Sequence, residues 1–353
     1  MIQRKKTKKI KVGNIFIGGD APILVQSMTK TDTRDINTTV KQIKKLEKIG
    51  CEIIRVAIPD MKAAQALGQI KRQINLPLVA DIHFSAELAL EAINQNIDKL
   101  RINPGNIGNE ERIKAVILAA QKKKIPIRIG VNAGSLEKDL LFKYGGKATA
   151  EAMVESAMRH IKILEKYNFQ DIIVSLKASD IERTVAAYRL LSQKVNYPLH
   201  LGITEAGTAF RGTVMSAIGL GILLEEGIGD TLRVSLSAPP EEEVMVAWEI
   251  LKSLKIRKRG VTITSCPTCG RTEIDLVKIV EKVEKATQSI DKDIHLAVMG
   301  CVVNGVGEAR EADLAIVGGK KVGLIIEKGE IIKKVPEKKL FNEFIKELQR
   351  LIK

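Results

Sequence analysis

The 353-residue sequence predicts an α/β protein in two parts: a (β/α)8 barrel (TIM barrel) over residues 1–254 and a small α+β domain over residues 255–353. Three observations carry this. Between Leu24 and Leu254 a short apolar run is followed eight times by a helical pattern, and such alternation builds parallel sheets. Eight units in about 230 residues suit a closed barrel. No Gly-rich dinucleotide fingerprint follows the first run, which counts against an open doubly wound sheet. After Leu254 the basic segment Lys255-Ile-Arg-Lys-Arg-Gly260 reads as a linker, and the alternation stops.

A hairpin of Lys9–Val12 and Asn14–Gly18 comes first and is expected to plug the barrel bottom. The eight strands are Leu24–Met28, Ile53–Ile58, Leu78–Ile82, Lys99–Asn103, Ile127–Val131, Asp171–Lys177, Leu199–Thr204 and Thr231–Leu236. The helices between them place apolar residues three and four apart, as in Arg112-Ile-Lys-Ala-Val-Ile-Leu-Ala-Ala. Capping residues precede several: Asn37-Thr38 the first, Ser85 the third, Ser179-Asp180 the sixth. In the small domain, strands are expected at Val261–Ser265, His295–Met299, Leu314–Val317, Val322–Ile326 and Glu330–Val335, with helices at Thr272–Ile290 and Pro336–Ile352.

Composition narrows the class. With 45% hydrophobic and 28% charged residues the chain is of globular type. Its longest apolar stretch, around Ile218–Leu224, falls well short of the ~20 residues of a membrane span. No long apolar segment follows the basic amino terminus, so a secretory signal is not expected and the protein is read as cytoplasmic, with no membrane partner. The net charge of +15 is spread along the chain: residues 256–353 hold 19 Lys/Arg and 14 Asp/Glu, residues 1–255 hold 38 and 28. Only 12 aromatics accompany it. Nucleic-acid binders concentrate charge and stack bases on aromatics, so the excess lysine is read as solvated surface and no nucleic-acid partner is expected.

Three of the four cysteines lie in the small domain. Ser265-Cys266-Pro267-Thr268-Cys269-Gly270-Arg271 supplies a C-x-x-C after one strand, and Cys301 in Met299-Gly-Cys-Val-Val-Asn-Gly-Val-Gly-Glu308 follows another. Away from an oxidising compartment such a set points to metal. A structural zinc site would want a fourth ligand, and the only nearby histidine is His295. A redox pair would use Cys266 and Cys269 and leave Cys301 idle. A [4Fe–4S] cluster takes three thiolates and leaves one iron open. The segment Asn304–Gly307 reads as a Gly-rich loop able to wrap a cluster, with Glu308 able to reach back as an oxygen ligand. Cys51, at a helix end, reads as buried packing.

Five barrel strands each carry one cation among apolar residues: Arg55, Arg101, Arg128, Lys177 and Arg233. A buried charge must be paired or reach a strand end. Asp81 and Glu205 are the strand-end acids, leaving about three positive charges for a ligand, which matches a diphosphate. Active sites of this fold lie at the carboxyl ends of the strands. His83, Asn103, Asn132, Thr204 and Ser235 fall at or just past those ends, and Gln26-Ser-Met-Thr29 could line the floor.

These segments together resemble the IspG (GcpE) family. The resemblance rests on Val25-Gln-Ser-Met-Thr29, Leu78-Val-Ala-Asp-Ile-His-Phe84, Leu100-Arg-Ile-Asn-Pro-Gly105, Gly130-Val-Asn-Ala-Gly-Ser-Leu136, Ile203-Thr-Glu-Ala-Gly207 and the two cysteine motifs. It runs over essentially the whole chain, in the two-domain bacterial form. The family makes (E)-4-hydroxy-3-methylbut-2-enyl diphosphate from 2-C-methyl-D-erythritol 2,4-cyclodiphosphate in the methylerythritol phosphate route. The resemblance implies a [4Fe–4S] cluster on Cys266, Cys269 and Cys301 with Glu308 as fourth ligand. It also implies a small domain resembling a sulfite/nitrite reductase half-domain. Reduced flavodoxin or ferredoxin is the implied electron donor. The implied homodimer closes one subunit's cluster domain over its partner's barrel. Arg55, Arg101, Arg128, Lys177, Arg233 and Ser235 match the family's diphosphate-holding positions. Asp81, His83, Asn103, Asn132, Thr204 and Glu205 match its other site positions, with Glu205 the candidate for delivering a proton to the departing hydroxyl.

Overall fold

The structure, a computed structural model, describes residues 2–352 and divides into two compact units, 1–257 and 258–353. In the first, β1 (Ile10–Val12) and β2 (Ile15–Ile17) form the expected hairpin. There follow β3 (Leu24–Met28), α1 (Ile36–Lys48), β4 (Ile53–Ala57), α2 (Met61–Lys71), β5 (Leu78–Asp81), α3 (Ala86–Asn94), β6 (Lys99–Ile102) and α4 (Glu110–Lys122). Next come β7 (Ile127–Asn132), α5 (Lys138–Lys143), α6 (Ala150–Lys166), β8 (Ile172–Lys177), α7 (Ile181–Lys194), β9 (His200–Leu201), α8 (Ala209–Glu225), β10 (Thr231–Leu232) and α9 (Pro240–Ser253). The parallel strands run in the order β8-β7-β6-β5-β4-β3-β10-β9, and a bridge from Val174 to Leu199 joins the two ends into a ring.

Strand alternation sorts the barrel into two faces. Outward residues such as Val25, Ile54, Leu78, Leu100, Ile127 and Val174 pack under the helices in one continuous apolar shell. Inward residues form layers. The lowest, Leu24, Ile53, Val79 and Ile173, meets Ile10, Val12 and Ile17 of the hairpin, which therefore seals the bottom. Each of those aliphatic side chains contributes roughly 1.5–3 kcal/mol by leaving water. Above this layer the interior becomes polar.

Three sequence expectations shift. The first helix begins two to three residues earlier than Asn37-Thr38 suggests, because Asp35 is the N-cap and accepts from the Thr38 N–H at 3.0 Å; Ser85 and Asp180 cap α3 and α7 as expected. Strands β9 and β10 are only two residues long. At Gly202 a Cβ would lie 2.6 Å from Lys177 Nζ and 2.9 Å from the Arg233 carbonyl, so the chain there leaves the regular ladder to make room for a cation. The first unit also runs to Arg257, which donates to the Ile23 carbonyl and to Glu52 at 2.9 Å each and stacks over Trp248.

The second unit comprises β11 (Val261–Ser265), α10 (Leu276–Thr287), β12 (Ile294–Met299), α11 (Val302–Glu311), β13 (Leu314–Gly319), β14 (Val322–Glu327), β15 (Glu330–Pro336) and α12 (Glu337–Ile352). The sheet order is the chain order, β11 to β13 parallel and the last two antiparallel. Leu296 and Val298 of β12 face α10 and α12, while Ala297 and Met299 face Ala309 and Ala312. The expected Gly-rich loop is a helix, α11. Its Gly305 serves packing rather than a turn: a Cβ there would lie 2.6 Å from Val317 Cγ1 and 3.1 Å from Met299 Cβ. Among the described residues no helix is long and apolar enough to cross a membrane.

Candidate active site

The carboxyl end of the barrel holds a pocket with about 390 Å³ of empty space, lined by Arg55, Asp81, His83, Arg101, Arg128, Asn132, Ser175, Lys177, Thr204 and Arg233. Nine of these ten are residues singled out from the sequence. The five cations come from five different strands or strand ends, so the barrel itself draws them together. Asp81 is the hub of the rim: its carboxylate lies 3.1 Å from Arg101 Nη1, 3.8 Å from Arg55 Nε and 3.6 Å from His83 Nε2. Arg101 also donates to His83 Nε2 at 2.6 Å and to the Gly130 carbonyl at 2.9 Å. Its place depends on Gly130, where a Cβ would fall 2.3 Å from Arg101 Nε.

Beneath the rim lies a second polar layer. Lys99, fully buried, donates to Gln26 Oε1 at 3.2 Å. Lys177 donates to His200 Nε2 at 3.5 Å, and His200 Nδ1 bonds Thr231 Oγ1 at 2.8 Å. Gln26 thus forms part of the floor. Lys99 shares its strand face with Arg101, and Ser175 shares that of Lys177, so both follow the parity of the strand cations.

The electrostatics are those of a site short of negative charge. Burial opposes ionisation of Asp81, yet Arg55, the neighbouring His83, Arg101 and Arg128 outweigh it and hold the carboxyl far below its ordinary range. Burial, with Arg128 and Arg55, pushes the Lys99 ammonium well below the usual lysine value. Burial, with Arg233, Arg128, Arg55 and Arg101, does the same to Lys177. His200 is pushed far down by burial and by Arg128, Lys177, Lys99 and Arg55, so it stands neutral. Arg128 is 1% exposed, and its Nε and Nη1 have no hydrogen-bond partner among the described residues. A buried donor of this kind is costly unless something fills the space above it.

Three expected residues stand apart from the lining. Asn103 is buried and accepts from the Gly130 N–H at 3.0 Å, so it supports the strand that carries Arg128. Ser235 is half-buried just past Arg233. Glu205 is exposed, with φ +54°, and does not supply the second acid. That place is taken by Glu243 of α9, 2% exposed and 3.7 Å from Arg233. Sequence reasoning missed it because it arrives from a helix, within the run Glu241-Glu242-Glu243 that reads as ordinary first-turn acid.

In the second unit, Cys266 follows β11 and Cys301 follows β12 as the N-cap of α11, at the same edge of the sheet. The Gly300 N–H donates to Cys266 Sγ at 3.2 Å. Cys266 and Cys301 are half-buried, Cys269 is exposed, and all are free thiols. The Arg271 backbone N–H lowers the Cys269 thiol from its ordinary value. His295 is occupied elsewhere, with Nε2 at 2.8 Å from Thr264 Oγ1 and Nδ1 at 3.0 Å from the Glu311 carbonyl. Glu308 is exposed on α11, seven residues beyond Cys301 rather than at a loop end. Among the described residues no three His, Cys, Asp or Glu side chains close around a point at metal-ligand distance.

Comparison with known proteins matches the GcpE TIM-barrel domain over residues 7–248 and the GcpE protein C-terminal domain over residues 262–350. The chain belongs to the GcpE family. A relative from Clostridium acetobutylicum, named 4-hydroxy-3-methylbut-2-en-1-yl diphosphate synthase (flavodoxin), is 58% identical over 350 residues, covering 99% of this chain and 100% of its own. The relative of the same name from Geobacter sulfurreducens is 57% identical over 349 residues, covering 99% of each. Among solved structures, an N-acetylneuraminic acid synthetase from Leptospira borgpetersenii matches with TM-score 0.52 at 14% identity, over 72% of this chain and 91% of that one, a likeness of fold alone.

For this GcpE chain, donor chemistry supports an iron–sulfur group. Three sulfur donors share one sheet edge, one drawn toward its thiolate and another receiving a backbone N–H. Soft thiolates select iron–sulfur clusters or zinc, and the nearby imidazole that zinc would want is engaged.

Proposed function

We propose that this chain is a 4-hydroxy-3-methylbut-2-en-1-yl diphosphate synthase acting on 2-C-methyl-D-erythritol 2,4-cyclodiphosphate. In fully protonated form, the cyclodiphosphate takes two electrons and two protons and yields the open diphosphate and one water. The ring C–O bond and the tertiary C–OH bond break, and a C=C bond forms. The observation that carries the reading is the pocket's imbalance: Arg55, Arg101, Arg128, Lys177 and Arg233 meet Asp81 and, behind Arg233, Glu243. A diphosphate answers it, with Arg forks and the Lys177 ammonium on its oxygens and Ser235 as a further hydroxyl donor. The same cations stabilise charge that grows on the leaving diphosphate. His83, Asn132 and Thr204 face the remaining part of the substrate, and Asn103 keeps β7 in place.

Glu205 is our candidate for proton delivery to the departing hydroxyl. It is supported by its position beside Thr204 and by a left-handed backbone, which costs a non-glycine residue roughly 1 kcal/mol and is retained where surroundings demand it. Cys266, Cys269 and Cys301 would hold a [4Fe–4S] cluster, with Glu308 as an exchangeable fourth ligand. Such a cluster would supply, one at a time, the two reducing electrons that the ring opening needs and that the side chains of this site do not provide. Reduced flavodoxin is the donor suggested by the relatives' names, with ferredoxin of the same class. A homodimer, one protomer's small unit serving its partner's barrel, completes the reading. It is supported by an apolar groove between α8 and α9, lined by Ala217, Gly221, Val246 and the exposed Met245; an active monomer would sink this part.

The test is anaerobic reconstitution followed by assay of the cyclodiphosphate with reduced flavodoxin. About four iron and four sulfide per chain, with flavodoxin-dependent release of the open diphosphate, are expected. One zinc and no sulfide would remove the electron source and leave a phosphate-binding module.

A further inference from the structure

The second unit sorts its charge between the two ends of its sheet. Because β11, β12 and β13 are parallel and β15 runs with them, four strands end at the edge that bears the thiols. The turn after β13 is Lys320-Lys321, and α12, which follows β15, opens with Glu337-Lys338-Lys339. Both lie close to the cysteines. A Cβ at Gly318 would fall 2.5 Å from the Gly300 carbonyl, one residue from Cys301. The Asp275 N–H donates to Glu337 Oε1 at 3.0 Å, which ties α12 to the segment after the C-x-x-C. Lys320, Lys321, Lys338 and Lys339 are all exposed, as is Arg271 beside Cys269. None of the five forms an ion pair among the described residues. Several other cations of this unit do: Lys258 with Asp293, Arg259 with Asp291, Lys333 with Glu343, Lys346 with Glu343 and Arg350 with Glu347; the remaining unpaired ones, such as Lys285 and Lys328, are not gathered at the thiol edge. At the thiol edge, Asp275 is already paired with Lys278 and Glu308 is the proposed cluster ligand, leaving Glu273 and Glu337 against five cations.

We propose that this edge is the docking surface of an acidic one-electron carrier protein, with Lys320, Lys321, Lys338 and Lys339 as its electrostatic contacts. The inference rests on the reading that the neighbouring thiols hold a redox cluster and assigns the surface through which that cluster is served. Unpaired like charges at one edge repel one another and gain only when an oppositely charged surface arrives. Transient electron-transfer encounters are small and steered in this way. Since the same edge must reach the substrate, docking of the carrier and approach to the substrate would alternate, one electron per docking.

The experiment compares the full-length, cluster-reconstituted protein with K320E/K321E/K338E/K339E and with the control K285E/K328E. The control reverses two further exposed cations, at the opposite end of the sheet. Affinity for a purified flavodoxin and the rate at which its hydroquinone is oxidised are measured across ionic strength. Reduction by photoreduced deazaflavin, which needs no docking, and binding of a single-stranded RNA 20-mer are measured alongside. The fourfold variant is expected to lose at least about 10-fold in flavodoxin affinity at low salt and most of its salt dependence. The control and deazaflavin reduction should stay near wild type. Equal loss in both variants, no loss in either, or RNA binding as the only property changed would overturn the proposal. If the wild type assembles no cluster, the electron-source reading falls, while flavodoxin affinity still decides the docking surface.

Discussion

Gly130→Ala adds one methyl group where the barrel has room for none. The new Cβ would lie 2.3 Å from Arg101 Nε, 2.7 Å from Nη2 and 2.8 Å from Cζ, so the guanidinium must move. Moving it weakens the 2.9 Å bond to the Gly130 carbonyl, the 3.1 Å contact with Asp81 and the 2.6 Å bond to His83. One charged hydrogen-bonding group withdrawn from an anion costs about 1.5–3 kcal/mol, or roughly 10- to 100-fold in affinity. Overpacking costs a further ~1–3 kcal/mol of stability, a fall in melting temperature of a few degrees in a unit of this size. Titration of inorganic diphosphate by calorimetry at fixed salt, with a thermal melt beside it, reads both. The double variant separates them: if Gly130 exists to seat Arg101, adding Gly130→Ala to Arg101→Ala should cost no further affinity. A folded Gly130→Ala protein that binds diphosphate within twofold of wild type would refute the reasoning.

Arg128→Met should act in opposite directions on two observables. Removing a buried guanidinium with two unpartnered nitrogens raises the stability of the free protein by ~1–3 kcal/mol, while diphosphate affinity falls about 10-fold or more; melting with and without the ligand reads both, and a destabilised free protein would contradict the burial argument. Glu137 is held down to about 2: burial opposes this, but hydrogen bonds from His160, its own backbone and Ser156 prevail. Its stabilisation is therefore complete above its ordinary value near 4.5 and is lost as pH falls toward 2, so Glu137→Gln should flatten that part of the acid-unfolding curve. An unchanged acid limb would show that the loop after β7 does not depend on this pair. Glu205→Gln should keep diphosphate affinity and cluster content within twofold but lower turnover about 100-fold or more; undiminished turnover would remove Glu205 from the proton path.

Much of the barrel site was legible because period-two alternation is strict. Arg55, Arg101, Arg128 and Lys177 stand among aliphatic neighbours whose own place in the shell leaves the cation no face but the inward one. The aliphatic residues under the hairpin were legible for the same reason. Lys99 obeys the same parity, yet no single-residue signal separates a floor lysine from a surface one at the start of a strand. Glu243 was illegible in a different way, since its partner Arg233 is ten residues away and the meeting depends on how α9 returns to the barrel mouth. Glu205 misled the count of acids because parity breaks where a chain turns left-handed. In the second unit, Asn304-Gly-Val-Gly307 reads as loop because two glycines weaken a helix by about 1 kcal/mol each. Only the approach of Val317 and Met299 explains why Gly305 belongs in a helix.

The barrel interior also explains why its lysines lack carboxylates. Lys99 and Lys177 lean on Gln26 and His200, neutral acceptors, and His200 is in turn held by Thr231. A carboxylate in either place would satisfy the ammonium better and would cancel part of the charge that a diphosphate is to meet. Gln26→Glu tests that balance with almost no change of shape. The new carboxylate would lie near Lys99 Nζ, where the amide oxygen now sits at 3.2 Å, and should raise the melting temperature of the free protein. At an effective dielectric of ~20 and a separation of ~10 Å, it would repel each charge of a bound anion by about 1.7 kcal/mol. Diphosphate affinity should then fall about 10-fold or more, with the gain in stability and the loss in affinity arising from the same added charge. A Gln26→Glu protein that melts higher and binds diphosphate as tightly as wild type would mean that the floor is screened from the pocket, and that the neutrality of Gln26 serves packing instead.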